Sequence, residues 1–250
     1  MAAALRRTLD GAVFAVTFLT ILPLRLRNGH DGAVAAPGWY ALVGAAVGAA
    51  AGGVFAAAQP GLGSSVAAIL AVGALVVLTG GLHQDGLADC ADGLGVRGDR
   101  ERRLSVMRDP AVGSFGSVAL LLWGLLLTTS VAQLSTGDAI AALITAAAIG
   151  RWSALLHAQW APPARRDGLG SAFTPSTPAV VLAGLTAVGV AAIADLASAG
   201  AVVFAGLLVA AAVSGWARRS LGGRTGDTLG ATVVLTEVVV VLVLLAFARH

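Results

Sequence analysis

The sequence predicts an all-α, polytopic transmembrane helical bundle of about seven spans, forming a single integral-membrane domain over residues 1–250. Three observations carry this reading. First, 57% of the 250 residues are hydrophobic and only 12% are charged, with a mean hydropathy of +0.86. A soluble domain carries about twice that charge fraction. Second, stretch after stretch approaches the ~20 apolar residues that cross a bilayer. Third, the arginines gather in alternate connections. The net charge is +3, yet no basic run exists that would suit nucleic acid. Every basic residue of the Lys+Arg set is an Arg, and the excess reads as charge that orients the chain in a lipid bilayer.

The N-terminal stretch 9–24 is about 16 residues long, too short for an ordinary span. Arg6, Arg7, Arg25 and Arg27 bracket it. It reads as a short interfacial or half-inserted helix. A cleaved signal peptide is not expected, because Arg25 and Arg27 stand where a small-residue cleavage site should lie. The expected spans are 38–59, 64–83, 112–134, 138–158, 178–195, 198–217 and 230–248. In the first of these, Gly44, Gly48 and Gly52 repeat every four residues, a small-residue face for close helix packing. The Pro/Gly-rich stretch "APPARRDGLGSAFTPSTP" joins two halves of the bundle.

With seven spans, segments 84–111, 159–177 and 218–229 share one side. They hold Arg97, Arg100, Arg102, Arg103, Arg108, Arg165, Arg166, Arg218, Arg219 and Arg224. The opposite connections, "QPGLGS", "LSTGD" and "DLASAG", contain no arginine. The positive-inside rule therefore places the first set in the cytoplasm, and only Arg249 and His250 fall on the far side.

The residues fit for chemistry lie on that same side. "GGLHQDGLADCADGLG", residues 80–95, follows a long uncharged run. On a helix, Asp85, Asp89 and Asp92 fall within ~60° of one another and make one stripe of three carboxylates. No basic residue lies within 80–96 to offset them. A divalent cation is the natural compensation, and Mg²⁺ prefers carboxylate oxygen while keeping sites for waters or phosphates. A water-exposed helix start capped by Asp85 is the plainer alternative. His83 lies ~160° from Asp85 on an unbroken helix, and there it reads as a packing or hydrogen-bonding residue. A break at Gly80, Gly81 or Gly86 would turn it towards the stripe as a general base. The single cysteine, Cys90, allows no internal disulfide and reads as a small buried filler.

Two more stretches join the acids. In "VRGDRERRLSVMRDPAVGSFG", Arg100, Arg102, Arg103 and Arg108 suit phosphate oxygens. In "LGGRTGDTLGA", residues 221–231, glycines flank Asp227 and Thr228 where the last span begins, beside Arg224. Such a loop lets backbone approach an anion closely. Arg151 and Glu237 stand inside otherwise apolar spans, where ionisable residues are functional by default. Carboxylates, arginines and a glycine-rich turn on one face suit phosphoryl transfer from a diphosphate.

In that order, and with a "FLTILPL" start, "GGLHQDGLADCADGL", "MRDPAVGSFG" and "LGGRTGDTLGA" resemble the cobalamin synthase family, adenosylcobinamide-GDP ribazoletransferases. The resemblance runs over nearly the whole chain. It implies a Mg²⁺-dependent enzyme of the bacterial inner membrane that joins adenosylcobinamide-GDP to α-ribazole, or to its 5′-phosphate, and releases GMP. Carried over residue by residue, it implies catalytic roles for His83, Asp85, Asp89 and Asp92. Asp227 joins the three aspartates as a metal ligand. Arg108, Asp109, Arg151, Gly222, Gly223, Arg224, Thr225, Gly226 and Thr228 would bind substrate, and a ribazole 5′-hydroxyl would attack the diphosphate. The resemblance admits a homo-oligomer, or contact with other cobalamin-pathway enzymes, as partners. One departure stands out. Where relatives carry an acidic residue this chain has Val234, which leaves Glu237 as the acid of the last span.

Two other readings use the same features. CDP-alcohol phosphotransferases also pair spaced aspartates with Mg²⁺, but the DG…AR…G…D…D arrangement is missing here. A transporter would place acids in interrupted helices at mid-membrane, whereas these charges gather at one surface.

Overall fold

The computed structural model describes residues 2–24 and 29–249. Arg25, Arg27 and His250 lie outside the described residues. Among those described, the chain is helical throughout, without a strand. The N-terminal helix α1 (Ala2–Leu19) starts earlier than expected, because Ala2–Leu5 are good helix formers ahead of the Arg pair. It is followed by α2 (Gly29–Ala35) and a 3₁₀ turn (Ala36–Trp39), which carries Pro37 in its first turn.

Next comes α3 (Tyr40–Leu78), whose 39 residues would measure ~58 Å if straight. It is not straight. Pro60 lies inside it, and Gly63 sits at φ 77°, ψ 164°, far from helical values. Its two ends meet the same short segment: the Phe18 ring stacks on Tyr40 at 6.0 Å, while Ile21 N–H donates to the Leu78 carbonyl at 2.9 Å. The element is thus a hairpin folded back at Gly63, and its arms are the first two expected spans.

After it come α4 (Leu82–Gly95), α5 (Arg100–Val106), α6 (Ser114–Val131), α7 (Thr136–Trp160) and the single turn α8 (Leu169–Ala172). The chain closes with α9 (Thr177–Ala194), α10 (Leu196–Ser220) and α11 (Gly226–Phe247). Among the described residues six helices are long and apolar enough to cross a membrane, the hairpin counting once. The short α1 is not one of them.

The centre of the bundle is α7, buried almost continuously from Thr145 to Ala158. The glycine stripe of α3 explains how it gets so close. A Cβ added to Gly44 or Gly48 would run into the backbone of Ala147 or Leu143, and one on Gly52 would come within 3.0 Å of Ile140 Cα. Small residues let the two backbones touch, which is how apolar helices gain packing energy in lipid. Outward-facing residues such as Leu121, Leu185 and Phe204 stay mostly exposed, as a lipid-facing surface requires.

Three of the long helices have a side-chain lock at the N-terminus. Ser135 caps α7, Asp195 caps α10 and Thr225 caps α11, satisfying amide donors that lipid cannot. At one end of the bundle the three Arg-bearing segments knit together. Arg100 donates to the carbonyls of Leu221 and Ala164, and Arg224 N–H donates to Pro162 O at 2.7 Å. At the other end Arg249 meets Gln133. The arginine partition read from the sequence is therefore a partition between the two ends of the molecule.

Candidate functional site

The site forms where α4 crosses the start of α11. Gly80 and Gly81, at φ 61° and 71°, end the α3 hairpin and turn the chain into α4. On α4, a Cβ at Gly86 would lie 2.6 Å from the carbonyl oxygen of Asp227, and one at Gly230 would lie 3.3 Å from the backbone of His83. These two glycines bring the helices into backbone contact. Asp85 and Asp89 thereby arrive beside Asp227, from a motif some 140 residues away in sequence.

The cost of that approach is electrostatic. Burial, then the carboxylates of Asp227, Asp85 and Asp92, push Asp89 up to about 7, against a partial offset from Arg165. The aspartate stripe divides into two uses. Asp85 is exposed and Asp89 half-buried beside Asp227. Asp92 accepts from Gly113 N at 2.7 Å and Gly116 N at 2.9 Å, which fixes the start of α6. Among the described residues no three His, Cys, Asp or Glu side chains converge closely enough to hold a metal ion as they stand.

The glycine-rich turn works as a mount for Asp227. Gly222 is left-handed (φ 75°), and Gly223 packs against the Pro162 carbonyl with no room for a Cβ. Thr225 and Thr228 then close a reciprocal capping box at the first turn of α11. The Thr225 hydroxyl donates to Asp227 Oδ2 at 3.1 Å. Behind them lies His157, fully buried, with Ser214 Oγ and Thr228 Oγ1 each 2.8 Å from its two ring nitrogens. This histidine ties α7, α10 and α11 together directly beneath the site. The sequence reading did not single it out, although an ionisable residue inside an apolar span was signal enough.

The arginines take separate tasks. Arg165, a loop arginine given no individual role from the sequence, lies 3.8 Å from Asp227. Its Nε and Nη2 are buried without a hydrogen-bond partner. Arg108 pairs with Asp167 at the exposed surface at 2.8 Å, near Arg165, whose pKa burial and then Arg108 lower. Asp109 accepts from Ala111 N–H in an exposed turn. Arg224 points away from the acids and donates to the carbonyls of Ala161 and Phe173. Arg103 holds the carbonyls of Gly93 and Leu94 at the end of α4. Cys90 is a buried filler, packed with Met107, Ala164, Leu221 and Ala231. Arg151 and Glu237 form a buried ion pair across α7 and α11.

A cavity of about 540 Å³ opens beside the acids. Asp85, Gly86, His83 and Asp227 border one part of it, and Arg151 and Leu155 another. Phe14, Phe18, Tyr40 and Phe173 supply an aromatic wall. Although His83 leaves α4 in a different direction from Asp85, both border the same space, and His83 is almost wholly buried. A second recess, of about 570 Å³, lies on the other side of α4 and shares Phe18, Leu82 and Asp85 with the first.

Comparison with known proteins places the chain among relatives of one kind. An adenosylcobinamide-GDP ribazoletransferase of Azorhizobium caulinodans is 40% identical over 83% of this chain and 83% of its own length. One from Sinorhizobium medicae is 39% identical over 94% of this chain and 96% of its own. One from Shewanella amazonensis is 36% identical over 96% of each. No solved structure gives a significant match. The family described as cobalamin-5-phosphate synthase matches residues 11–245, from the middle of α1 to the last turns of α11, and the chain belongs to that family.

Proposed function

We propose that this protein joins adenosylcobinamide-GDP to α-ribazole, or to its 5′-phosphate, and releases GMP in a Mg²⁺-dependent phosphoryl transfer. The observation that supports it most is that Asp85 and Asp89 come within electrostatic reach of Asp227, with Asp85 and Asp227 bordering a cavity, in a chain of this family. Crowded carboxylates with a raised pKa and only one nearby cation suit a divalent ion that prefers oxygen ligands. Asp85, Asp89 and Asp227 would hold it, with Asp92 behind them at the α6 start. Mg²⁺ there would neutralise charge on the diphosphate oxygens.

The chain's own groups do the rest. Arg165, whose Nη2 stands 3.8 Å from Asp227 and whose buried Nε and Nη2 make no hydrogen bond, binds phosphate oxygens. His157 and the Thr225–Thr228 box keep Asp227 fixed, so that little reorganisation is needed at reaction. A ribose hydroxyl of the acceptor attacks the cobinamide-side phosphorus. One P–O bond forms to that oxygen, the bond to GMP breaks, and the hydroxyl proton passes to one of the aspartates or to His83. The family's name carries a 5-phosphate, so an acceptor phosphorylated there uses a ring hydroxyl rather than the 5′-hydroxyl expected from the sequence. The motif end of the bundle would face the cytoplasm and the bundle would sit in the inner membrane.

The test is GMP release by the purified protein in detergent, from adenosylcobinamide-GDP and α-ribazole 5′-phosphate, across a Mg²⁺ titration. Asp85→Ala and Asp227→Ala should each cost orders of magnitude in turnover, and the double variant little more, because both remove parts of one unit. Additive losses would mean two independent sites. No divalent-dependent GMP at all would overturn the reading.

A further inference from the structure

We infer that the 540 Å³ cavity is the seat of the nucleoside acceptor, with its flat heteroaromatic base against the aromatic wall and its ribose at the Asp85–Asp227 end. This rests on the function proposed above and names the place of one of its two substrates.

The cavity has two chemically different ends. One is made of carboxylates and backbone, the other of rings. Three stacked pairs link that wall: Phe14 on Phe18 at 6.3 Å, Phe18 on Tyr40 at 6.0 Å, and Tyr40 on Phe173 at 5.8 Å, with interplanar angles of 23°, 15° and 8°. The rings come from α1, α3 and the segment after α8, so three separate elements line one space with a row of near-parallel rings. Phe14 and Phe173, at the ends of the row, each keep one face that no other ring of the row covers, and such a face suits another flat ring. The volume falls within the range of about 300–1,000 Å³ typical of small-molecule sites. That is room for a nucleoside.

Arg151 suits an uncharged part of the guest, its base, better than a phosphate. It borders the cavity almost wholly buried, with its charge answered by Glu237 and its Nε unpartnered. A guanidinium already neutralised offers a hydrogen bond to an uncharged acceptor, such as a ring nitrogen, without calling for a second negative charge. The donor has its own approach. The recess on the far side of α4 reaches the same Asp85 and is edged by Thr79, Gly80, Gly81 and Gln84. Two chambers meeting at one carboxylate are what a two-substrate transfer requires. The wall is also tied to the acid motif, since Arg224 holds the Phe173 carbonyl at 2.8 Å.

The experiment is steady-state kinetics with each substrate varied in turn, on the full chain in detergent. Phe173→Ala and Phe14→Ala should raise KM for α-ribazole 5′-phosphate about tenfold or more, with a far smaller change in KM for adenosylcobinamide-GDP. Phe173→Leu, which keeps bulk but loses the ring face, guards against loss of fold and should show the same selectivity. Equilibrium dialysis of α-ribazole 5′-phosphate without Mg²⁺ should show the same loss of binding. A rise in KM for adenosylcobinamide-GDP instead, or equal rises for both, would overturn the assignment while wild-type GMP release left the proposed reaction standing. If the wild type releases no GMP, the reaction itself has failed.

Discussion

Asp89 is the carboxyl with the most to gain from a counter-charge. Its pKa stands at about 7, against an ordinary 3.8, because burial and three neighbouring carboxylates disfavour its ionised form. In the metal-free protein, the folded state therefore holds a proton that the unfolded chain gives up at lower pH. The sign follows from linkage: Asp89's contribution to stability is complete below pH 3.8 and is lost as pH rises towards 7. Without divalent ions, the unfolding temperature in detergent should fall across that window, and Asp89→Asn should flatten the fall. Adding Mg²⁺ above pH 7 should raise the wild-type unfolding temperature more than that of Asp89→Asn. Identical pH profiles for the two proteins would remove Asp89 from the cluster. Other residues at this scale serve by position. His157 never reaches the cavity, yet it holds the threonine that caps α11.

Between elements, the decisive feature is the contact of α4 with α11. Gly86 faces the Asp227 backbone, which cannot yield as a flexible side chain would. Gly86→Ala should force the helices apart, at a cost of about 1–3 kcal/mol in stability, and separate Asp85 and Asp89 from Asp227. Turnover should fall far more than the melting temperature, and GMP release and thermal unfolding measure the two. Gly124→Ala, in α6 with nothing within 4 Å of the added Cβ, is the matched control and should leave both unchanged. Wild-type turnover in Gly86→Ala would mean that the helix approach does not matter. Much at this scale was legible in the sequence. Apolar length marked the spans, the glycine stripe marked a close-packing face that the fold sets against α7, and the i, i+4, i+7 spacing marked the acid stripe. What sequence could not separate were equal residue types with unequal partners. Asp92 looks like Asp85 until Gly113 and Gly116 arrive to bind it, and Arg165 looks like any loop arginine until the fold sets it by Asp227. The aromatic wall was invisible for the same reason, since its rings come from positions 14, 18, 40 and 173, which no periodicity connects.

Across the whole molecule, the two ends differ in charge and in work. The motif end carries the arginines of the three long connections together with the acids and the cavity mouth, and the opposite end carries Arg249 against Gln133. Lys and Arg near spans set orientation by staying on the cytoplasmic side. If both arms of the α3 hairpin cross, they make two passes, and α6, α7, α9, α10 and α11 make five more. An odd number of passes puts the end of α11 opposite the start of the hairpin. A compartment-specific reporter fused after His250 should therefore signal from outside the cytoplasm. A cysteine at exposed Arg97, in a chain whose own Cys90 is buried, should react with a membrane-impermeant thiol reagent only after the cells are opened. The two readouts separate the ways of failing. A cytoplasmic signal after His250 with Arg97→Cys shielded would mean an even number of passes, so that α3 does not cross twice. An outward Arg97→Cys would mean that the whole bundle is inverted, with its acids and cavity on the far side of the membrane.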